Sequence, residues 1–184
     1  MLAPDEPEPA ASPEIRPLLE PDAETYWQVR LRALREHPEA YGRAYEDEKD
    51  TPLDEVRGRF RTSYATETSF IIGAFLAGQL VGIVGCVRER VRKMRHRATI
   101  GQMYVAPEAR GRGVGRALLD EAVARAGRWD GLVQIHLSVV SENAAARQLY
   151  LSAGFRVYGL DPRALKVENR YLDEDLMVRD VAQG

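Results

Sequence analysis

The apolar positions of the first sixty residues follow a helical period. Between residues 22 and 36 they recur every three or four positions, which predicts an amphipathic helix over that range. These apolar residues are Tyr26, Trp27, Leu31 and Leu34. A short strand over residues 14–18 is expected before the helix. A helix start is indicated next: Thr51 supplies a capping hydroxyl, Pro52 fits the first helical position, and Asp54 is an acid for the first turn. We therefore expect a second helix from there to about residue 61.

The pattern then changes to that of strands. The segment SFIIGAFLAGQLVGIVGCVRERV (residues 69–91) predicts two strands around a tight turn at residues 77–79, and a further strand follows at residues 98–105. Beyond it we expect a helix at 116–126, a strand at 132–139, a helix at 143–153, and strands near Phe155 and at 171–178. One strand–helix–strand unit implies one parallel pairing by a right-handed crossover. The fold class is therefore α/β: a mixed, mostly antiparallel, twisted sheet of about seven strands with helices on both faces.

Composition favours a single intracellular domain. With 184 residues, 45% of them hydrophobic, the chain can bury one core, and we assign residues 14–184 to one domain. Residues 1–13 are acidic and proline-rich, and we expect a disordered leader. The 26 basic and 28 acidic residues nearly cancel, so charge does not indicate nucleic acid or a membrane as partner. The single cysteine, Cys86, lies in an apolar stretch and fits a reducing compartment, so we expect a cytoplasmic protein.

Residues 110–116, RGRGVGR, lie between a predicted strand and a predicted helix. The three glycines allow a ligand to approach the backbone, and the start of a helix offers free N–H groups and a positive dipole end. With Arg110, Arg112 and Arg116 these features predict a phosphate-binding loop. The glycines are Gly111, Gly113 and Gly115. Neither the Walker nor the Rossmann pattern matches, because no Lys-Ser/Thr pair follows and the third Rossmann glycine is absent. A purely structural loop remains the alternative.

Two motifs in order resemble the GNAT superfamily of acyl-CoA-dependent N-acyltransferases. The first is the pyrophosphate loop, matched by Arg110, Gly113 and Gly115 after the strand MYVAPEARG. The second is VVSEN (residues 139–143), followed by Ala146, Leu149–Tyr150 and Gly154–Phe155. The resemblance covers residues 70–178.

The resemblance implies acetyl-CoA as cosubstrate and a role for each motif. The strand ending at Val105 would separate from the next one, and backbone groups near Met103, Tyr104 and Val105 would bind the pantetheine arm and stabilise the oxyanion. The loop Arg110, Gly111, Arg112, Gly113, Val114, Gly115 and Arg116 would hold the pyrophosphate. Asn143 would contact the cofactor, and the Tyr150 hydroxyl would act as general acid. The alternatives are a helix N-cap for Asn143 and a core aromatic for Tyr150.

No general base can be assigned. The strand at 98–105 carries no acid, and a glutamine such as Gln102 accepts no proton. The remaining candidates are His136, Glu46, Glu48, Asp173 and Glu174. The three histidines have no metal-ligand spacing, and we expect no metal.

We therefore expect an N-acetyltransferase in which a primary amine attacks acetyl-CoA directly within a ternary complex. The sequence does not specify the acceptor, which is a small-molecule amine or a protein amine. Dimers are common in similar families, so a homodimer is one possible assembly. One alternative is a non-catalytic acyl-CoA sensor on the same fold. The other is a nucleic-acid-binding module that uses the basic segment, residues 88–97, although this segment also fits a solvated loop.

Overall fold

The computed structural model describes residues 12–181, and their centre is a seven-stranded sheet. The strands are β1 (Glu14–Pro17), β2 (Ser69–Leu76), β3 (Gln79–Arg88), β4 (Arg97–Val105), β5 (Gln134–Val140), β6 (Arg156–Val167) and β7 (Arg170–Asp180). Their order across the sheet is β1-β2-β3-β4-β5-β7-β6. Only β4 and β5 pair in parallel, and the other neighbours are antiparallel. The predicted mixed sheet with one parallel crossover is confirmed.

Five α helices accompany the sheet: α1 (Ala23–Glu36), α2 (Tyr45–Glu48), α3 (Leu53–Arg59), α4 (Val114–Ala126) and α5 (Ala144–Ser152). Two glycines of β3 show that α1 and α4 lie on opposite faces. A Cβ on Gly82 would meet Leu118 of α4, whereas a Cβ on Gly85 would meet Gln102, whose amide is bonded to Tyr26 of α1. Because 82 and 85 are an odd number of residues apart, they point to opposite faces.

Buried side chains explain why these elements form. In α4 the residues that face the sheet are fully buried and recur at helical spacing: Leu118, Leu119, Ala122 and Ala126. The β2–β3 turn needs two left-handed residues, Ala77 and Gly78, with φ of 47° and 77°. Cys86 is 3% exposed, and burial raises the pKa of its thiol to about 12, which fits a core residue.

The structure differs from the predictions in the segment between α1 and β2. Pro52 is the N-cap of α3 rather than its first residue, with an extended ψ of 141°, so Thr51 does not cap the helix. The chain then forms a π turn over Phe60–Tyr64. The rings of Phe60 and Tyr64 both pack edge-on against Tyr26, at 5.2 Å and 5.6 Å between centroids. The wider turn lets both rings reach the same partner.

The remaining predictions differ mainly in length. The polar segment at residues 37–50, which the sequence predicts to be a loop, contains the short helix α2, and the last two strands form a longer hairpin than expected. Residues 1–11 of the predicted leader lie outside the described residues. Within residues 12–181 no helix combines the length and apolar character needed to cross a membrane.

Replacing Gly82 with alanine should destabilise the fold. Its Cβ would lie 2.9 Å from Leu118 Cδ1 and 3.0 Å from the Tyr104 carbonyl oxygen. We expect the free energy of unfolding in urea to fall by about 1–3 kcal/mol, as is usual for overpacked cores. Gly101→Ala, in the neighbouring strand, is the matched control, because nothing lies within 4 Å of its Cβ position. Equal stability of the two variants would contradict this packing.

Candidate active site

The parallel pair β4–β5 separates part-way along its length. The two strands are paired from Arg97/Gln134 to Thr99/His136 and no further. Beyond that point β4 stays paired with β3, and β5 stays paired with β7. Residues 100–105 and 137–140 therefore form the two sides of an opening in the middle of the sheet. Backbone groups on the open edges lack the strand partner that a continuous sheet would supply.

A bulge in β4 lies at the start of this opening. Gly101 faces Gly85 and Tyr104 faces Ile83, so β4 has one extra residue between two pairs. Gln102 adopts a left-handed φ of 56° there. Two tyrosines hold the bulge: the Tyr26 hydroxyl donates to Gln102 Oε1 at 2.6 Å, and the Tyr41 hydroxyl donates to the Met103 carbonyl at 2.9 Å.

The glycine-rich loop lies where α4 begins. Gly111 and Gly113 have φ of 72° and 76°, and Gly113 is the N-cap of α4, with no side chain capping the helix. The first N–H groups of a helix have no acceptor within it. A Cβ on Gly115 would lie 3.5–3.6 Å from Leu149, Met103 and Val105, so this helix start is close to both β4 and α5.

The three loop arginines make different contacts. Arg110 Nε donates to the Val105 carbonyl at 3.0 Å, and its Nη2 lies 2.8 Å from His37 Nε2. Arg116 Nε bonds both carboxylate oxygens of Asp120, at 2.8 Å and 2.7 Å. Arg112 is exposed. Arg110 thus ties the loop to the end of β4, whereas Arg116 is engaged with Asp120.

One cavity of about 1040 Å³ joins the opening, the loop and α5. It is bordered by the predicted site residues except Arg112: Met103, Tyr104, Val105, Arg110, Gly111, Gly113, Val114, Gly115, Arg116, Asn143 and Tyr150. Residues far apart in sequence therefore share one space. Two segments that the sequence offers as possible walls of an acceptor site also border it. The aromatic and acidic segment at residues 40–48 does so through Tyr41–Arg43, and residues 159–177 do so through Leu172 and Glu174 of β7.

Tyr150 and Asn143 lie on α5. Tyr150 is 6% exposed, and burial raises the pKa of its hydroxyl above the ordinary range of tyrosine. Its hydroxyl makes no hydrogen bond with the residues that the structure describes, although the ring packs against Phe155. Asn143 is the N-cap of α5, and its Oδ1 accepts the Ala146 N–H at 3.1 Å. Its side-chain NH₂ remains available to a ligand.

Most of the candidate bases do not reach the cavity. His136 contacts Arg97 at 3.0 Å and does not border the cavity, and burial together with the charge of Arg97 lowers its pKa. Glu48 is buried in an ion pair with Arg59, and Glu46 and Asp173 are not in the lining. Glu174 is the one candidate from the sequence that borders the cavity. The basic segment forms the end of β3, the β3–β4 loop and the start of β4.

Sequence reasoning missed three residues at the bulge. Tyr26 was assigned only to the apolar face of α1, Tyr41 only to an aromatic and acidic loop, and Arg30 was not considered. Arg30 is 8% exposed and borders the cavity. It follows Tyr26 by four positions and precedes Leu34 by four, so it lies on the apolar face of the helix. A charged residue on the apolar face of a helix is a signal in the sequence for a functional position.

Comparison with known proteins shows the family of the chain. The model of the Acetyltransferase (GNAT) family matches residues 15–155. Because the match covers well over half of the sequence, the chain belongs to the GNAT acetyltransferase family. The acetyl-CoA complex of phosphinothricin acetyltransferase from Sinorhizobium meliloti has a TM-score of 0.80, covering 95% of this chain and 91% of that one. At 23% identity, this likeness shows a shared fold.

Two relatives are similar in sequence. Mycothiol acetyltransferase from Thermobispora bispora is 32% identical over 145 residues, which are 76% of this chain and 45% of that protein. The N-alpha-acetyltransferase RimI from Mycobacterium tuberculosis is 37% identical over 112 residues, 59% of this chain and 65% of that protein. The chain thus covers less than two thirds of the length of either relative.

The conformation of Gly113 leads to a stability prediction. A Cβ at φ 76° is strained, so Gly113→Ala should lower the free energy of unfolding by about 1–2 kcal/mol. Gly115→Ala is the matched control within the first turn of α4, where only ordinary contacts of 3.5–3.6 Å await the new Cβ. It should be neutral or stabilise by up to about 1 kcal/mol. Urea unfolding of both variants measures the free energy of unfolding. A Gly113→Ala variant as stable as the wild type would contradict the left-handed cap.

Proposed function

We propose that the protein is an N-acetyltransferase that transfers the acetyl group of acetyl-CoA directly to a primary amine. One observation carries the proposal: the opening between β4 and β5 runs into the glycine-rich loop and is bordered by Tyr150, all within one cavity. This arrangement can hold an extended thioester with its phosphates at the helix start. Membership of the GNAT family supports the same reaction class.

The residues of the cavity fit CoA. A pyrophosphate at the start of α4 would meet backbone N–H groups and the positive end of the helix dipole. Nothing lies within 4 Å of a Cβ position on Gly111 or Gly113, so the ligand has room to approach the backbone there. Tyr41 and Arg110 hold the carbonyls of Met103 and Val105 in place, and the pantetheine arm would run along this segment of β4.

Acetyl-CoA, when bound, supplies the thioester carbonyl that the amine attacks. Tyr150 is our choice for the group that protonates the departing sulfur. Its raised pKa keeps the hydroxyl protonated at neutral pH, and no protein group of the described chain competes for that proton.

The amine must arrive with a free electron pair, and we assign no side chain as its base. Carboxylates that border the cavity are those of Glu39, Glu142 and Glu174. Glu142 is already paired with Arg170 at 3.0 Å, at an exposed position. We propose direct transfer because no activated nucleophile borders the cavity: Ser138 of β5 lies in the lining but has no hydrogen bond to a base among the described residues, and Cys86 is buried outside the lining.

Tyr150→Phe should separate catalysis from cofactor binding. Loss of a general acid typically costs 10²–10⁴ in rate, so we expect kcat to fall by about 100-fold or more. The dissociation constant of acetyl-CoA should change by less than about threefold, because the ring is kept. Release of free CoA in the presence of a panel of primary amines measures the rate, and calorimetry measures the binding. Tyr158→Phe, an exposed tyrosine on β6, is the matched control and should leave both values unchanged.

An unchanged kcat in Tyr150→Phe would remove Tyr150 as the acid. Acetyl-CoA binding by the wild type without transfer to any amine would favour the alternative, a non-catalytic acyl-CoA sensor on this fold.

A further inference from the structure

Arg30 is a buried arginine without a carboxylate partner. It is 8% exposed, and within residues 12–181 its Nη1 is buried with no hydrogen-bond partner and no ion pair includes it. Its guanidinium carbon lies 4.8 Å from the centre of the Tyr41 ring. A buried cation without an anion is costly, and contact with a ring offsets only part of that cost. Arg30 borders the active-site cavity, so a bound anion can complete its environment.

Gln102 offers a second donor beside the same cavity. Its Oε1 accepts the Tyr26 hydroxyl proton at 2.6 Å, and burial keeps the pKa of Tyr26 far above neutral, so this bond fixes the amide orientation. The amide NH₂ is then free to donate to a ligand. Tyr26 and Arg30 are one helical turn apart on α1, which brings the two donors to the same side of β4.

A second cavity, of about 510 Å³, adjoins the first along β4. Three residues of β4 border both: Thr99, Gly101 and Gln102. Gly101 has no side chain to separate the two spaces, and nothing lies within 4 Å of its Cβ position. Part of the second cavity is walled by apolar side chains, among them Tyr64, Ile71, Val87 and Val91.

We propose that the acceptor is a primary amine with a carboxylate or phosphate group close to its amino group, and that Arg30 and the Gln102 amide bind this anion. The acceptor's apolar side chain extends past Gly101 into the second cavity. The anion lies close to the amine because Tyr41, which contacts Arg30, also holds the Met103 carbonyl at the bulge. This inference rests on the proposed function and adds the class of acceptor.

The test compares acceptors that share an amine and an isobutyl chain and differ in the group beside the amine. L-Leucine, its phosphonate analogue, L-leucinamide and isopentylamine are offered with acetyl-CoA to the wild type and to Arg30→Met. A charged hydrogen bond corresponds to roughly 10- to 100-fold in affinity, so the wild type should prefer an acid over the amide by that factor in kcat/KM. Arg30→Met should lose this preference. Whether the carboxylate or the phosphonate is used faster identifies the anion.

Stability separates recognition from a structural role. Arg30→Met removes an unpaired buried charge, so its unfolding temperature should equal or exceed that of the wild type. Arg35→Met, at an exposed position on the same helix, makes the same change in charge and should keep both the preference and the stability. Should Arg30→Met fail to fold, Gln102→Glu gives the same readout, because it keeps an acceptor for Tyr26 and repels an anion.

Two results would overturn the inference: no preference for acids in the wild type, or a preference that survives in Arg30→Met. Transfer to the amide or to isopentylamine without preference would leave the proposed function standing. If the wild-type protein does not bind CoA, both the proposed function and this inference are wrong.

Discussion

Strand β4 loses its parallel partner after Thr99, and the site is built from the backbone that this loss exposes. A strand in the middle of a sheet normally has all its N–H and C=O groups paired, and unpaired groups in a buried place need other partners. The chain supplies some of them: Tyr41 bonds the Met103 carbonyl and Arg110 bonds the Val105 carbonyl. A ligand that lies along the opening can supply the rest.

The bulge of β4, the start of α4 and the helix α1 all lie around the opening between β4 and β5. The bulge at Gln102 lies just beyond the last pair of β4 with β5, and Tyr26 holds the bulge from α1. The start of α4 lies close to β4, because a Cβ on Gly115 would be 3.6 Å from Met103 and from Val105. The helix start and the strand edge thus form one continuous surface, with donors for phosphates at one end and a buried tyrosine hydroxyl beside it. On the α1 side, Arg30 has no anionic partner among residues 12–181. The proposed cofactor side and the proposed acceptor side therefore flank the same separated strand.

The sequence predicted the local elements well, because hydrophobic period and turn residues act over short distances. The strand β4, the helix α4 and the turn at Ala77–Gly78 are close to their expected positions. The glycine-rich loop was recognisable because its residues are contiguous. The separation of β4 from β5 was expected only through the resemblance to a family, since strand pairing depends on residues far apart in the chain.

The bulge and its supports were not predictable in the same way. Gln102 has a left-handed backbone, but a glutamine gives no sign of this in the sequence. The bonds from Tyr26 and Tyr41 join residues that are 76 and 62 positions from their partners. The π turn after α3 likewise has no signal in the local pattern, and both of its aromatic rings pack against Tyr26, far away in the sequence.

Thermal unfolding with added nucleotides tests the central claim, that the open edge of β4 and the start of α4 together bind CoA. CoA, acetyl-CoA, ATP and NADH would each be added to the wild-type protein at equal concentration. ATP carries an adenosine and phosphates but lacks the pantetheine arm. At 100 times its dissociation constant a ligand of the folded state stabilises by about 2.7 kcal/mol. The account predicts a clear rise with both CoA species and little with ATP or NADH. Equal shifts with ATP, or none with CoA, would contradict it.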